Sequence, residues 1–147
     1  MKPIEKFLRT EMIMSNYTAS ERWKSQLEFY ARDLNFLFSV LKRNTVFINS
    51  KKALNEAVVF MNELNKLKNK LTKMERDINY YMLNLKFVLV EDMDIINFDQ
   101  NKECAKFESE ISAFILEYDV LKSRIQSYGK SFLMAKKRKR HPMFSAY

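Results

Sequence analysis

The stretch FMNELNKLKNKLTKMERDINYYMLNLKFV, running from Phe60 to Val88, decides the fold. Its apolar side chains fall at Phe60, Leu64, Leu67, Leu71, Met74, Ile78, Tyr81, Leu85 and Val88, in alternating steps of four and three. A mean step of about 3.5 residues holds a stripe on one helix face and turns packed helices around each other in a left-handed supercoil. A strand would instead show period two.

The same pattern recurs on both sides. Downstream it reads Cys104, Phe107, Ile111, Phe114, Tyr118, Leu121, Ile125, Tyr128, Phe132 and Ala135. Upstream it reads Trp23, Leu27, Tyr30, Leu34, Leu37 and Leu41, with Thr18 and Glu21 at capping-box spacing and Ser20 as a competing N-cap. Polar joints at 44–49 and 91–98 separate the stripes, and joints that short make neighbouring helices antiparallel. Asn97 and Asp99 are candidate caps for the third helix. The expected fold is all-α, an antiparallel three-helix coiled-coil bundle with helices over about 20–43, 50–91 and 98–138. Residues 1–19 form an arm with two forms open to it, a continuation of helix 1 or a short additional N-terminal helix, and residues 136–147 form a basic C-terminal tail.

Composition supports this. The single glycine is Gly129 and the prolines are Pro3 and Pro142, so nothing between residues 4 and 128 is obliged to break a helix. Hairpin turns and phosphate-cradling loops both need glycines that this chain does not have. The N-terminus lacks an uninterrupted apolar run, and Phe87–Val90 is far too short to span a bilayer, so a soluble cytoplasmic protein is expected. The lone Cys104 precludes an internal disulfide.

Helix lengths create a difficulty. At 1.5 Å per residue the first helix would measure roughly 35 Å and the other two roughly 60 Å each. The uncovered far halves of helices 2 and 3 are also the most apolar part of the chain. Ile78, Tyr81, Met82, Leu85, Val88 and Leu89, with Phe107, Ile111, Phe114 and Ile115, are therefore candidate interface residues. Two covers are open: residues 1–19, which carry Ile4, Phe7, Leu8, Met12, Ile13 and Met14, or a second copy in an isologous homodimer.

Of the net charge of +8, five units come from Lys136, Lys137, Arg138, Lys139 and Arg140, while residues 21–135 hold 18 basic against 16 acidic side chains. That run is the candidate phosphate-binding site, weighed against a solvated helix end that complements the helix dipole. The acidic joint of Glu91, Asp92, Asp94 and Asp99 lacks the glycine and ligand alternation of a calcium loop. His141 is the only histidine, so Ser-His and Cys-His pairs are missing from the body and a zinc site is not expected. Cys104 stands on the third stripe, the place of a small core residue. No catalytic residue, cofactor or metal is expected.

Trp23, Leu27 and Phe29 make a Trp-x-x-x-Leu-x-Phe pattern that, over Trp23–Leu37, resembles the opening helix of small helical proteins common in Bacteroidota. The resemblance implies a bacterial cytoplasmic setting and no activity. The expected function is non-enzymatic association with itself or a helical protein partner. The alternative is contact with nucleic acid through residues 136–140.

Overall fold

The computed structural model describes residues 2–91 and 99–140, with side chains for 2–90 and 99–130. Three helices pack together with no strand among the described residues: α1 over Pro3–Asn44, α2 over Lys51–Glu91 and α3 over Gln100–Arg140. A single 3-10 turn, Thr45–Phe47, follows α1. The expected all-α bundle is the fold observed.

Each helix N-terminus is closed by groups the sequence supplies. Pro3 opens α1, where its missing N–H costs nothing, and the Lys2 N–H donates to Glu5 Oε2 at 3.4 Å. Ser50 caps α2 by accepting the Ala53 N–H at 3.0 Å. Asp99 caps α3, accepting the N–H groups of Asn101 and Lys102 at 3.2 and 3.1 Å. Asn97 lies outside the described residues.

Of the two forms open to residues 1–19, the continuation of helix 1 is the one observed, so the boundary of the first helix moves. It begins at Pro3, not near residue 20, and its 42 residues match the 41 of each partner. Two features concealed this. The stripe continues backwards from Trp23 through Ser20, Asn16 and Ile13 in the same three-four steps, but two of those positions are polar. Thr18 and Ser20, which resemble N-caps, turn their hydroxyls back instead to the carbonyls of Met14 and Asn16 at 3.0 and 2.8 Å. That back-bonding is how such residues are accommodated inside a helix.

All nine α2 stripe residues from Phe60 to Val88 are buried, as are Phe107 through Ile125 on α3 and Trp23, Leu27, Leu34, Leu37 and Leu41 on α1. Burying a side chain of this size contributes about 1.5–3 kcal/mol. α2 runs antiparallel to both neighbours, so α1 and α3 lie parallel. Trp23 meets Phe107 at 5.9 Å between ring centroids, and Tyr30 meets Phe114 at 6.0 Å.

Lys136–Arg140 belong to α3 and not to a separate tail. Near this end the Tyr128 hydroxyl donates to the Ala53 carbonyl at 3.0 Å, only two residues into α2. The pairing of α1 with α3 places Asn44, the last residue of α1, level with that same turn. The pairs Glu63–Arg124 and Phe60–Tyr128 set the first turns of α2 beside residues 130–137, so α3 outruns α1 there but passes the start of α2 only in its last turn.

Candidate functional site

The residues expected to form an interface are mostly inside the chain's own core. Ile78, Tyr81, Met82, Leu85, Val88, Phe107, Ile111 and Phe114 are buried, Ile115 is half-buried, and only Leu89 is exposed. The reason is the length of α1. Its first four turns lie along this end, with Ile13 and Ser20 fully packed and Asn16 donating from Nδ2 to Gln100 Oε1 at 3.1 Å. The Tyr81 hydroxyl donates to the Gln100 carbonyl at 2.8 Å in the same layer.

Cover is nonetheless incomplete. Tyr80, Leu83, Phe87 and Val90 are 66%, 49%, 46% and 68% exposed. Their steps of three, four and three put them on one line of α2, on the side turned away from the buried stripe. This second heptad stripe was visible in the sequence as apolar residues on nearly every face of 80–90. It was not separable from the core stripe until burial was known. Upstream the same line continues through Arg76 and Lys73, so charge ends it there. At the same end of the bundle, Ile4, Phe7 and Leu8 are also exposed on α1.

The opposite end is basic. Antiparallel packing brings the α1–α2 joint beside the end of α3, and with it Lys42, Arg43, Lys51 and Lys52 beside Lys130 and Lys136–Arg140. Residues 38–55 and 125–140 contain these ten cations and no acidic residue, while the remaining residues hold 16 basic and 18 acidic side chains. Lys42, Arg43, Lys51, Lys52 and Lys130 are exposed and make no ion pair among the described residues. The sequence places the surplus charge in one short run; the fold gathers a larger cluster that linear distance conceals.

Between these ends, polar groups are matched to one another. Asp33 accepts from the Tyr118 hydroxyl and from Lys122 Nζ, the latter at 2.9 Å. Burial alone would raise the Asp33 carboxyl, but the hydrogen bonds from Tyr118 and Lys122, with the lysine charge, outweigh it and hold the group below its ordinary range. Burial, the bond to Asp33 and the negative charges of Asp33 and Asp119 push the Tyr118 hydroxyl far upward. No buried side-chain nitrogen or oxygen is left without a partner among the described residues. A trough of about 430 Å³ between α2 and α3 is floored by Leu67, Leu116, Val120 and Leu121. It is straddled by the ion pairs Lys70–Glu117 and Arg124–Glu63, each at 3.1 Å.

Cys104 is half-buried beside Tyr81. Burial, then the Glu108 charge, pushes its thiol up, and the opposing effects of Tyr81 and Arg22 do not reverse this. A raised thiol is the opposite of what a nucleophile needs. Among the described residues no cluster of His, Cys, Asp or Glu is grouped to hold a metal ion, and no helix is long and apolar enough to cross a membrane. Asp92, Asp94 and His141 lie outside the described residues. No family model, curated protein or solved structure matches the chain, so function rests on its own residues.

Proposed function

We propose that this chain is a non-enzymatic cytoplasmic association module that pairs with a second copy of itself through the exposed stripe Tyr80–Leu83–Phe87–Val90. That stripe is the observation that carries the proposal. Its 3-4-3 spacing repeats that of the internal seams, so two copies can interlock as the chain's own helices do. With Ile4, Phe7 and Leu8 the exposed residues at this end amount to on the order of 800 Å², about what one partner gives to a standard interface. Arg76 bounds the stripe and confines the contact to the last turns of α2.

Solution mass tests this. The wild-type chain should rise above 17.7 kDa by light scattering as concentration increases. A Leu83→Asp/Phe87→Asp double variant should remain at the monomer mass with its helical circular dichroism intact, because both residues are about half exposed. Leu85→Asp should unfold the chain, since Leu85 is 0% exposed. A wild-type mass that stays monomeric at every concentration, or a double variant that associates as the wild type does, would sink the proposal.

A further inference from the structure

The α1–α2 joint carries an inference that does not depend on the apolar stripe at the other end. We infer that it docks on an anionic lipid bilayer: Val46 and Phe47 enter the acyl chains just below the headgroups, and Lys42, Arg43 and Lys51 sit against lipid phosphates.

The joint reads cation, apolar, cation. Val46 is 79% exposed, more than any other large apolar residue among those described, and Phe47 beside it is 45% exposed. Lys42 and Arg43 precede the pair and Lys51 follows it. All three are exposed and make no ion pair among the described residues. Between Asp33 and Glu56 the chain has no acidic residue.

The packing adds apolar surface beside the joint. Phe60 meets Tyr128 at 5.5 Å between ring centroids, and α1 ends at Asn44, level with Tyr128, so the first two turns of α2 lie alongside the joint. On those turns Leu54 and Val58, one turn apart on one side of the helix, are 43% and 42% exposed. Glu56 stands on a different side. Burial, then the Glu56 charge, pushes the Tyr128 hydroxyl up, so Glu56 lies toward α3, where it lines a hollow with Lys52, Phe60 and Arg124. Lys52 shares that hollow and is left out of the bilayer contact. The register of α3 against α2 brings the backbone of Lys136–Arg140, five further cations, to the same end.

Apolar depth and positive charge act together at a membrane surface. Anionic headgroups attract Lys and Arg within about a Debye length, and the long stems keep the charged heads at headgroup level while their apolar neighbours sink deeper. Val46 is what selects a bilayer over nucleic acid. A branched aliphatic side chain has no flat face to stack on a base, and a row of phosphates would leave it in water.

The test uses the full chain and sedimentation with vesicles of phosphatidylcholine, with and without phosphatidylglycerol. The wild type should bind the mixed vesicles, release as salt rises, and leave pure phosphatidylcholine largely unbound. Lys42→Gln/Arg43→Gln/Lys51→Gln should partition at least about tenfold more weakly, since each cation at an anionic surface is worth roughly fivefold. Val46→Ser should also cost about tenfold, with an unchanged melt because the residue is exposed. Val46→Trp reads insertion directly: its emission should shift to the blue on mixed vesicles and be quenched by brominated acyl chains, while Trp23, 3% exposed, supplies a constant background. Leu83→Asp/Phe87→Asp should still bind, which separates this contact from self-association through the Tyr80 stripe.

No binding to the mixed vesicles would overturn the inference, whether or not the chain then bound duplex DNA. So would a Val46→Ser variant that binds as tightly as wild type, because charge alone would then hold the chain. Binding lost in Leu83→Asp/Phe87→Asp would move the contact to the opposite end and sink the inference equally.

Discussion

At the scale of single residues, the contact between Asp33 and Tyr118 shows how a polar group is admitted to a leucine-rich seam. Tyr118 is 1% exposed, and its hydroxyl is satisfied only because Asp33 faces it from α1. Asp33→Asn weakens that acceptor and removes the charge that Lys122 answers, so a loss of about 1–3 kcal/mol is expected at neutral pH. The folded carboxyl is held below its ordinary value. Its contribution is therefore complete above the unfolded pKa of about 3.9 and disappears as pH falls through the lower folded value. Denaturant melts should show wild type and Asp33→Asn separated at pH 7 and converging below about pH 4. Curves that stay parallel into acid would show that the charge of Asp33 contributes nothing.

At the scale of elements, α2 and α3 were legible from spacing alone because every core position on them is apolar or aromatic, with Cys104 the smallest. α1 was legible only from Trp23 onward. Asn16 and Ser20 stand on its stripe, and a polar residue at such a position reads as the end of a helix when it is in fact inside one. That one shortfall propagates: a first helix starting near residue 20 leaves Leu85, Phe114 and their neighbours without cover, which is the pattern of an interface.

Ser15→Pro tests the continuity of α1. Ser15 is exposed, so its side chain is dispensable, but a proline there removes a helical hydrogen bond and collides with the preceding turn. A loss of about 3 kcal/mol is expected, read as a lower Tm and reduced ellipticity. An unchanged melt would mean that residues 3–14 contribute little to the bundle. The polar layer also limits how α1 slides. A shift of one heptad would keep leucine against leucine but strand Asn16 away from Gln100, and Asp33 away from Tyr118. Single polar positions of this kind select one register among several that the apolar stripe tolerates.

At the scale of the whole molecule, burial and charge are distributed along the same axis. Apolar surface remains at the end formed by the start of α1 and the end of α2, and positive charge gathers at the opposite end, where the α1–α2 joint lies beside the end of α3. Neither was readable from composition. The first needed the burial of each α2 face; the second needed the topology that sets Lys42, Arg43, Lys51 and Lys52 beside residues 130–140. The ten cations of one end exceed the net charge of the whole chain, which leaves the remaining residues slightly negative. Such a molecule is a long electric dipole. Near a charged surface it turns before it touches, and it meets an anionic support with one pole while the other points away. At its isoelectric pH of about 9.5 the chain is neutral only as a sum of a positive pole and a negative remainder. It should therefore stay bound to a cation-exchange column at a pH where a protein of evenly spread charge elutes, and truncation after Ala135 should release it. Elution of the intact chain at its isoelectric pH would mean that the charge is not segregated as the fold implies.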